Sequence, residues 1–154
     1  PRVVIPCFSR NEKNIYWQAR LLDGWGNRYQ SPHHVQRGDA IVVVWPLTKP
    51  YTGVLMCEGP MDALAAAEWG HLSIAFMGTK PTDEAIATAQ FLVAFHANPT
   101  TPYRILGDRD RDGEETAWKW TQRFPGALLL FPPPPYKDLA EMPRLERQEF
   151  LTNG

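Results

Sequence analysis

The segment ILGDRDRDGEETA (residues 105–117) places three aspartates at alternate positions, directly after an apolar run and before a polar run that favours a helix. Like charges crowded at the end of a strand raise one another's free energy unless a positive group neutralises them. The segment therefore raises two linked questions: which fold brings these acids together, and which cation they serve.

The composition is that of one compact domain with a hydrophobic core. The chain has 154 residues, of which 44% are hydrophobic, enough for one domain and a small annex. No apolar run is long enough to cross a bilayer, and no signal-peptide pattern opens the chain. The two isolated cysteines form neither a zinc motif nor a disulfide framework, so we expect a reduced, cytoplasmic protein with no membrane association. Because the chain begins with Pro1, we expect a fragment or a processed chain.

Charge is distributed unevenly along the chain. The overall net charge is −1, but residues 1–37 carry six basic and two acidic side chains, whereas the rest carries ten basic and fifteen acidic ones. A basic segment beside an acidic one suits a polyanion held near a metal-binding acid cluster. Two solvated faces of opposite sign explain the same distribution equally well, so charge alone does not decide the function.

Strand and helix patterns alternate in the later part of the chain. Four apolar runs are typical of strands buried on both faces: GVLMCEG (53–59), LSIAFMG (72–78), YRILGD (103–108) and GALLLFP (126–132). The segments between them are punctuated as helices, with Thr82 the predicted N-cap of the second helix and Asp112 that of the third. This alternation predicts an α/β fold from about residue 52, an open, mostly parallel sheet flanked by helices.

The first fifty residues predict a different, sheet-containing annex. RVVIPCFS (2–9), IYWQARLLDG (15–24) and AIVVVWPL (40–47) have the composition of strands and are separated by turn-rich segments. We therefore divide the chain into a basic N-terminal subdomain, residues 1–50, and a larger domain, residues 51–154.

Acidic side chains follow several of the predicted parallel strands. Glu58, the pair Asp108 and Asp110, and Asp138 all fall beyond strand ends, which is where open parallel sheets bind ligands. Ligation by oxygen alone favours Mg²⁺ or Mn²⁺. A calcium-binding EF-hand is excluded, because the twelfth position counted from Asp108 is Lys119 and not a glutamate.

Ordinary structural roles account for some of these acids. Asp62 lies in the first turn of a predicted helix, where it stabilises the helix dipole. Glu58 taken alone could be an ordinary acid at a strand end. A pair of like charges at a buried strand end has no such explanation. The pair Asp108 and Asp110 therefore indicates a metal-binding role for these two residues.

Two motifs resemble the signatures of the Toprim domain, which DnaG-type bacterial and phage primases share with type IA and type II topoisomerases and OLD-family nucleases. EGPMDALA (58–65) is similar to the first signature, a strand-end glutamate followed by glycine and an M-D pair. Asp108, Asp110 and Gly113 match the second, D-x-D-x-x-G. FMGT (76–79) resembles the family's glycine-threonine turn between them.

The upstream sequence separates the branches of this family. IPCFSRNEKNIYWQARLLDG…RYQSP (5–32) resembles the segment that precedes the Toprim domain in DnaG-type primases, a pattern that topoisomerases and OLD nucleases lack. Arg20 and Arg28 fall where that family has basic residues lining the polymerase cleft. The chain departs from the family at the third acidic position, where KDLAEM (137–142) supplies Asp138 and Glu141 in place of D-x-D. This K-D-x-x-E arrangement is similar to that of some phage-type primases.

The resemblance implies a DNA primase catalytic core, a nucleotidyltransferase of phage or mobile-element character that makes RNA primers for DNA replication. It implies catalytic roles for Glu58, Asp108 and Asp110. It also implies Mg²⁺ or Mn²⁺ bound by these three residues and Asp138. The resemblance further implies that Arg20, Arg28 and Lys80 bind nucleic acid or nucleotide. Asp62 and Glu141 are further candidate residues.

The same resemblance implies the partners and leaves two other functions open. The expected partners are a single-stranded DNA template, ribonucleoside triphosphates and, in the complete system, a replicative helicase. The sequence contains no zinc-ligand spacing and no GxxxxGK[ST] motif, so we expect the core without accessory parts. The alternatives are a metal-dependent nuclease of the OLD type and a non-catalytic DNA-binding Toprim module.

Overall fold

The structure is a computed structural model that describes residues 1–8, 14–33, 38, 40–47, 50–97 and 101–153. Within these residues the strands are β1 (Arg2–Phe8), β2 (Asn14–Leu21), β3 (Tyr29–Gln30), β4 (Val42–Val44), β5 (Gly53–Cys57), β6 (His71–Ala75), β7 (Tyr103–Leu106) and β8 (Leu128–Leu130). The helices are α1 (Pro60–Ala67), α2 (Asp83–His96), α3 (Arg111–Arg123) and α4 (Arg144–Asn153), with a 3-10 helix at Leu139–Glu141. None of the helices in the described ranges combines the length and apolar character needed to span a bilayer.

The larger sheet has five strands in the order β4-β6-β5-β7-β8. Neighbours among β6, β5, β7 and β8 are parallel, and β4 pairs antiparallel with β6 at one edge. The chain runs from β5 to β6 on one side and then crosses to β7 on the other side of β5. The strand order therefore reverses at β5, and the topological switch point lies between the carboxyl ends of β5 and β7.

The central strand β5 is apolar throughout because both of its faces are covered. Val54 and Met56 lie in one core cluster with side chains of α2 and α3. Leu55 and Cys57 lie in a second cluster with side chains of α1, the 3-10 helix and α4. The predicted α/β fold, an open, mostly parallel sheet flanked by helices, is confirmed. The 3-10 helix and α4 were not predicted.

The N-terminal residues form the small three-stranded sheet that the sequence predicts, but its third strand is β3 (Tyr29–Gln30), which the sequence patterns placed in a turn-rich segment. Strands β1, β2 and β3 make an antiparallel sheet, and Ile5, Cys7 and Tyr16 from it join the core cluster beside α1. The third predicted strand was wrongly placed in this annex. Val42 packs into the α1 cluster and Val43 against the α2 cluster, so β4 extends the larger sheet.

The division of the chain near residue 50 stays a prediction. Three of the basic residues counted in the N-terminal segment, Arg10, Lys13 and Arg37, lie outside the described residues.

A pair of leucine substitutions tests which strand holds the core together. Leu55 in β5 is 0% exposed and Leu128 in the edge strand β8 is 51% exposed. We expect Leu55→Ala to lower the free energy of unfolding by about 2–5 kcal/mol, because it removes core contacts and leaves a cavity. Leu128→Ala should cost less than about 1 kcal/mol. Urea unfolding followed by circular dichroism measures both, and equal losses would contradict the sheet order given above.

Candidate functional site

Acidic side chains lie on both sides of the switch point. Glu58 directly follows β5, and Asp108 follows β7 after Gly107. The charges of Asp108 and Asp110 act on Glu58, because both raise the pKa of its carboxyl group. The structure therefore brings together three of the acids that the sequence singles out, although Glu58 and Asp108 are fifty positions apart.

The alternating acids of DRD have different partners from the arginine between them. The Arg109 side chain donates from Nε to the carbonyl oxygen of Pro132, and its backbone N–H donates to the carbonyl oxygen of Lys137 at 2.7 Å. Asp108 and Asp110 both lie near the Lys137 ammonium, with Nζ 4.0 Å from Asp108 Oδ2 and 2.8 Å from Asp110 Oδ2. The pattern thus fixes the arginine to the chain after β8 and directs the two carboxylates to one lysine.

Asp110, and not Asp112, caps helix α3. Asp110 has an extended backbone, and its Oδ1 accepts a hydrogen bond from the Gly113 N–H at 2.8 Å. The prediction that Asp112 caps this helix was wrong, because the helix begins two residues earlier and Asp112 lies in its first turn. The prediction that Thr82 caps α2 is confirmed, since its side chain accepts a hydrogen bond from the Ala85 N–H.

Gly113 is required by close packing against the acidic loop. A Cβ at this position would lie 2.6 Å from both the Cβ and the carbonyl oxygen of Asp108. Any other residue would push Asp108 away from α3. The glycine of D-x-D-x-x-G therefore sets where the first aspartate of the motif lies.

Burial and mutual repulsion perturb two of the carboxyl groups. Burial, together with the charges of Asp108 and Asp110, raises the pKa of Glu58 to about 7, and the charge of Lys137 opposes this shift. Glu58 Oε1 is buried and has no hydrogen-bond partner among the residues that the structure describes. Burial also raises the pKa of Asp108 to about 6, with Asp138 the largest charge contribution. Each ionised carboxylate is thus destabilised by its neighbours, and added positive charge would relieve both.

The pKa of Asp110 is shifted in the opposite direction by Lys137. The sequence patterns did not predict a role for this lysine. A hydrogen bond from Lys137, followed by the one from the Gly113 N–H, lowers the pKa of Asp110. The same contact raises the pKa of Lys137. The signal in the sequence was the lysine directly before Asp138 in KDLAEM.

The third acidic segment forms a compact turn that begins at this lysine. Asp138 Oδ1 accepts a hydrogen bond from the Glu141 N–H at 2.8 Å, which caps the 3-10 helix. Glu141 Oε2 accepts one from the Lys137 N–H at 3.1 Å. Asp138 is near the other acids, since its charge raises the pKa of both Asp108 and Asp62. Both residues thus have a local structural role, and their predicted role in the site stays a prediction.

Asp62 joins α1 to the same turn. Its side chain is buried, and Oδ1 accepts a hydrogen bond from the Ala140 N–H at 3.0 Å. Burial, with a contribution from the charge of Asp138, raises the pKa of Asp62 to about 7. The contact to Ala140 favours a structural role for this residue.

The donors at the switch point fit a hard divalent cation by their chemistry. All of them are carboxylates, and the pKa values of Glu58 and Asp108 are raised. One buried oxygen of Glu58 also lacks a hydrogen bond from any part of the chain that the structure describes. As the side chains stand, no group of three or more His, Cys, Asp or Glu within the described ranges is gathered to hold a metal ion. Lys137 instead supplies the positive charge at Asp110.

The predicted basic residues lie on other elements. Arg20 on β2 donates a hydrogen bond to the Tyr29 hydroxyl, and its guanidinium carbon lies 5.4 Å from the centre of the Tyr29 ring. The guanidinium of Arg28 lies 5.9 Å from the same ring. The two arginines thus flank one tyrosine of the small sheet. Lys80 is exposed in the loop after β6, at the sheet edge that also carries Glu58.

Comparison with solved structures shows what this fold resembles. The catalytic domain of a DnaG primase bound to single-stranded DNA superposes with a TM-score of 0.66 over 99% of this chain, at 24% identity. The chain has the fold of a DnaG primase catalytic core. The RNA polymerase domain of Mycobacterium tuberculosis DnaG, in complex with double-stranded DNA, gives a TM-score of 0.65 at 14% identity over 98% of this chain. The E. coli primase catalytic core gives 0.59 at 23% identity over 88% of this chain.

The likeness to primases is one of fold and covers part of each relative. This chain spans 50% of the DnaG domain bound to single-stranded DNA, 52% of the M. tuberculosis domain and 46% of the E. coli core. No protein-family model and no curated protein sequence matches the chain significantly. The resemblance to DnaG-type primases made from the motifs is confirmed at the level of structure.

Replacing Asp62 tests the pH dependence of this primase-like fold. Because the folded state holds the Asp62 proton up to about pH 7 and the unfolded chain loses it near its ordinary value, the free energy of unfolding falls as pH rises through this window. Asp62→Asn keeps an acceptor for Ala140 and removes the charge. We expect it to raise the free energy of unfolding at pH 8 by roughly 1–3 kcal/mol and to flatten its pH dependence.

Asp83→Asn is the matched control, since Asp83 lies in the first turn of α2 but is exposed. It should change stability by less than about 1 kcal/mol at any pH. Urea titrations between pH 5 and 8 measure these effects. An Asp62→Asn protein that is less stable at pH 8 would contradict the buried, destabilised carboxylate.

Proposed function

We propose that this chain is the Toprim-type catalytic core of a primase, which joins ribonucleotides on a single-stranded DNA template with Mg²⁺ or Mn²⁺ as cofactor. The observation that carries the proposal is the convergence of Glu58, Asp108 and Asp110 at the switch point of a DnaG-like fold. The acids of the two Toprim-like motifs, which the sequence places after separate strands, act on one another electrostatically in the folded chain.

The proposed chemistry needs position and charge neutralisation more than a reactive side chain. Glu58, Asp108, Asp110 and Asp138 would hold the divalent metal, which supplies charge neutralisation for the triphosphate and activation of the 3′-hydroxyl. Because Asp110 is fixed by Gly113 and Asp108 by close packing against α3, these carboxylates are held in place before substrate arrives. Such preorganisation lowers the reorganisation needed during phosphoryl transfer.

The basic residues of the small sheet supply a surface for the phosphates of template or nucleotide. Arg20 and Arg28 flank Tyr29, and guanidinium groups held in this way bind phosphate oxygens with charge-assisted hydrogen bonds. Lys80 offers a further exposed charge in the loop after β6. The phage or mobile-element character remains a proposal that rests on the K-D-x-x-E segment, and a replicative helicase would be the partner in the complete system.

A metal-dependent nuclease is the second candidate, because the same acids could direct water at a phosphodiester. The small sheet superposes, together with the larger sheet, on the DnaG catalytic domain bound to single-stranded DNA, and this favours primer synthesis. A non-catalytic DNA-binding module is disfavoured by the cost of assembling several repelling carboxylates with no chemistry to use them.

A single reaction with two readouts, new RNA and shortened template, tests the primase proposal. The chain is incubated with single-stranded DNA, labelled ribonucleotides and Mg²⁺ or Mn²⁺, and gels are read for new RNA and for shortened template. We expect short RNA, reduced by a factor of about 100 or more in the double variant Asp108→Asn/Asp110→Asn, because the ligands for the metal are weakened. Asparagine still caps helices well, so the variant should fold.

The matched control is Asp112→Asn, which removes an exposed charge from the same run and should leave synthesis within about twofold of the unchanged chain. Shortened template without new RNA would replace the primase by the nuclease. If the unchanged chain gives neither new RNA nor shortened template, both enzymatic functions are contradicted.

Arg20→Ala tests the phosphate-binding surface separately. We expect weaker binding of single-stranded DNA and a slope of log affinity against log salt that is smaller by about 1, because one fewer counterion is released. Fluorescence anisotropy at several salt concentrations measures both quantities. Lys119→Ala, which removes an exposed cation of α3 paired with Glu115, is the control. An unchanged slope for Arg20→Ala would exclude this arginine from the DNA contact.

A further inference from the structure

Lys137 contacts the acids at the switch point, and the proposed function does not use it. Its Nζ lies 2.8 Å from Asp110 Oδ2 and 4.0 Å from Asp108 Oδ2. The charge of Lys137 also opposes the repulsion that destabilises Glu58. One ammonium group therefore partly neutralises three carboxylates that come from two different strand ends.

The backbone of Lys137 is fixed from both sides, so this placement is built into the fold. Its carbonyl oxygen accepts a hydrogen bond from the Arg109 N–H, and its own N–H donates to Glu141 Oε2. Arg109 adds a second link through the carbonyl oxygen of Pro132. The acidic loop after β7 and the segment before the 3-10 helix are thus joined at the residue whose side chain reaches the acids.

The side chain itself is free to leave. It is 51% exposed, and a lysine is a compact charge on a flexible stem of four carbons. The ammonium can therefore move into water without any change in the backbone contacts that hold residue 137. An exposed ion pair of this kind is weak enough to be displaced.

A divalent cation and the ammonium need the same oxygens. An ammonium in contact with Asp110 Oδ2 weakens that oxygen as a metal ligand, and two cations at contact distance on one carboxylate repel each other strongly. We infer that Lys137 is a resident counter-ion that holds Asp108 and Asp110 together before metal binds, and that it must be displaced when a divalent cation binds. This inference rests on the proposed metal role of the acids.

The test is the affinity of the whole chain for Mn²⁺, measured by isothermal titration calorimetry without DNA or nucleotide. We expect Lys137→Gln to bind Mn²⁺ roughly three- to tenfold more tightly than the unchanged chain, because a competing charge is gone. Lys137→Arg keeps the charge and should bind Mn²⁺ no more tightly than the unchanged chain. Lys119→Gln removes an equal charge from α3, where Lys119 pairs with Glu115, and should leave the affinity unchanged.

The outcomes separate a counter-ion from an ordinary structural residue. Unchanged or weaker binding by Lys137→Gln overturns the inference, and so does equal tightening by Lys119→Gln, which would be an effect of net charge alone. Tighter binding by Lys137→Arg overturns it as well. If Lys137→Gln fails to fold, as judged by circular dichroism, Lys137→Ala, which also removes the charge, takes its place in the same titration with the same expected result. Calorimetry reports metal binding alone, so failure of primer synthesis would count against the proposed function and leave this result readable.

Discussion

Repulsion among the carboxylates that follow β5 and β7 is the constraint around which this end of the molecule is arranged. Burial makes the ionisation of Glu58 and Asp108 costly, and the charges of neighbouring carboxylates add to that cost. The protein offsets this cost with Lys137, which lies against Asp110 and near Asp108. A strand end that served only packing would not need such an arrangement, because a polar, uncharged residue would be more stable there.

The surrounding chain holds these charges at a fixed spacing. Gly113 lets α3 approach Asp108 closely, and Asp110 begins that helix as its cap. Arg109 joins the acidic loop to the chain after β8 through Pro132 and Lys137. Helix capping and the link to the chain after β8 therefore both act on the run Asp108, Arg109 and Asp110. Together they hold this run in place despite its unfavourable charge.

Much of this arrangement could be predicted from the sequence, because continuous apolar runs and well-punctuated helices specify a parallel α/β sheet. The placement of acids at strand ends followed from that topology. The edge strand β4 was assigned to the wrong sheet, since three valines carry no information about their partner strand. The helix start at Arg111 was missed because two aspartates compete for the capping position. The role of Lys137 was missed because it depends on a contact between the segment after β8 and the loop after β7. Local sequence does not encode such a contact.

The most direct test of the metal role of these acids is a crystal structure of the chain grown with Mn²⁺, with the ion located by its anomalous scattering. A metal cage at the switch point predicts a peak within about 2.1 Å of carboxylate oxygens of Asp108 and Asp110, beside Glu58, with the Lys137 ammonium no longer in contact with Asp110. Manganese bound only elsewhere on the surface, with the Lys137–Asp110 pair intact, would contradict that role.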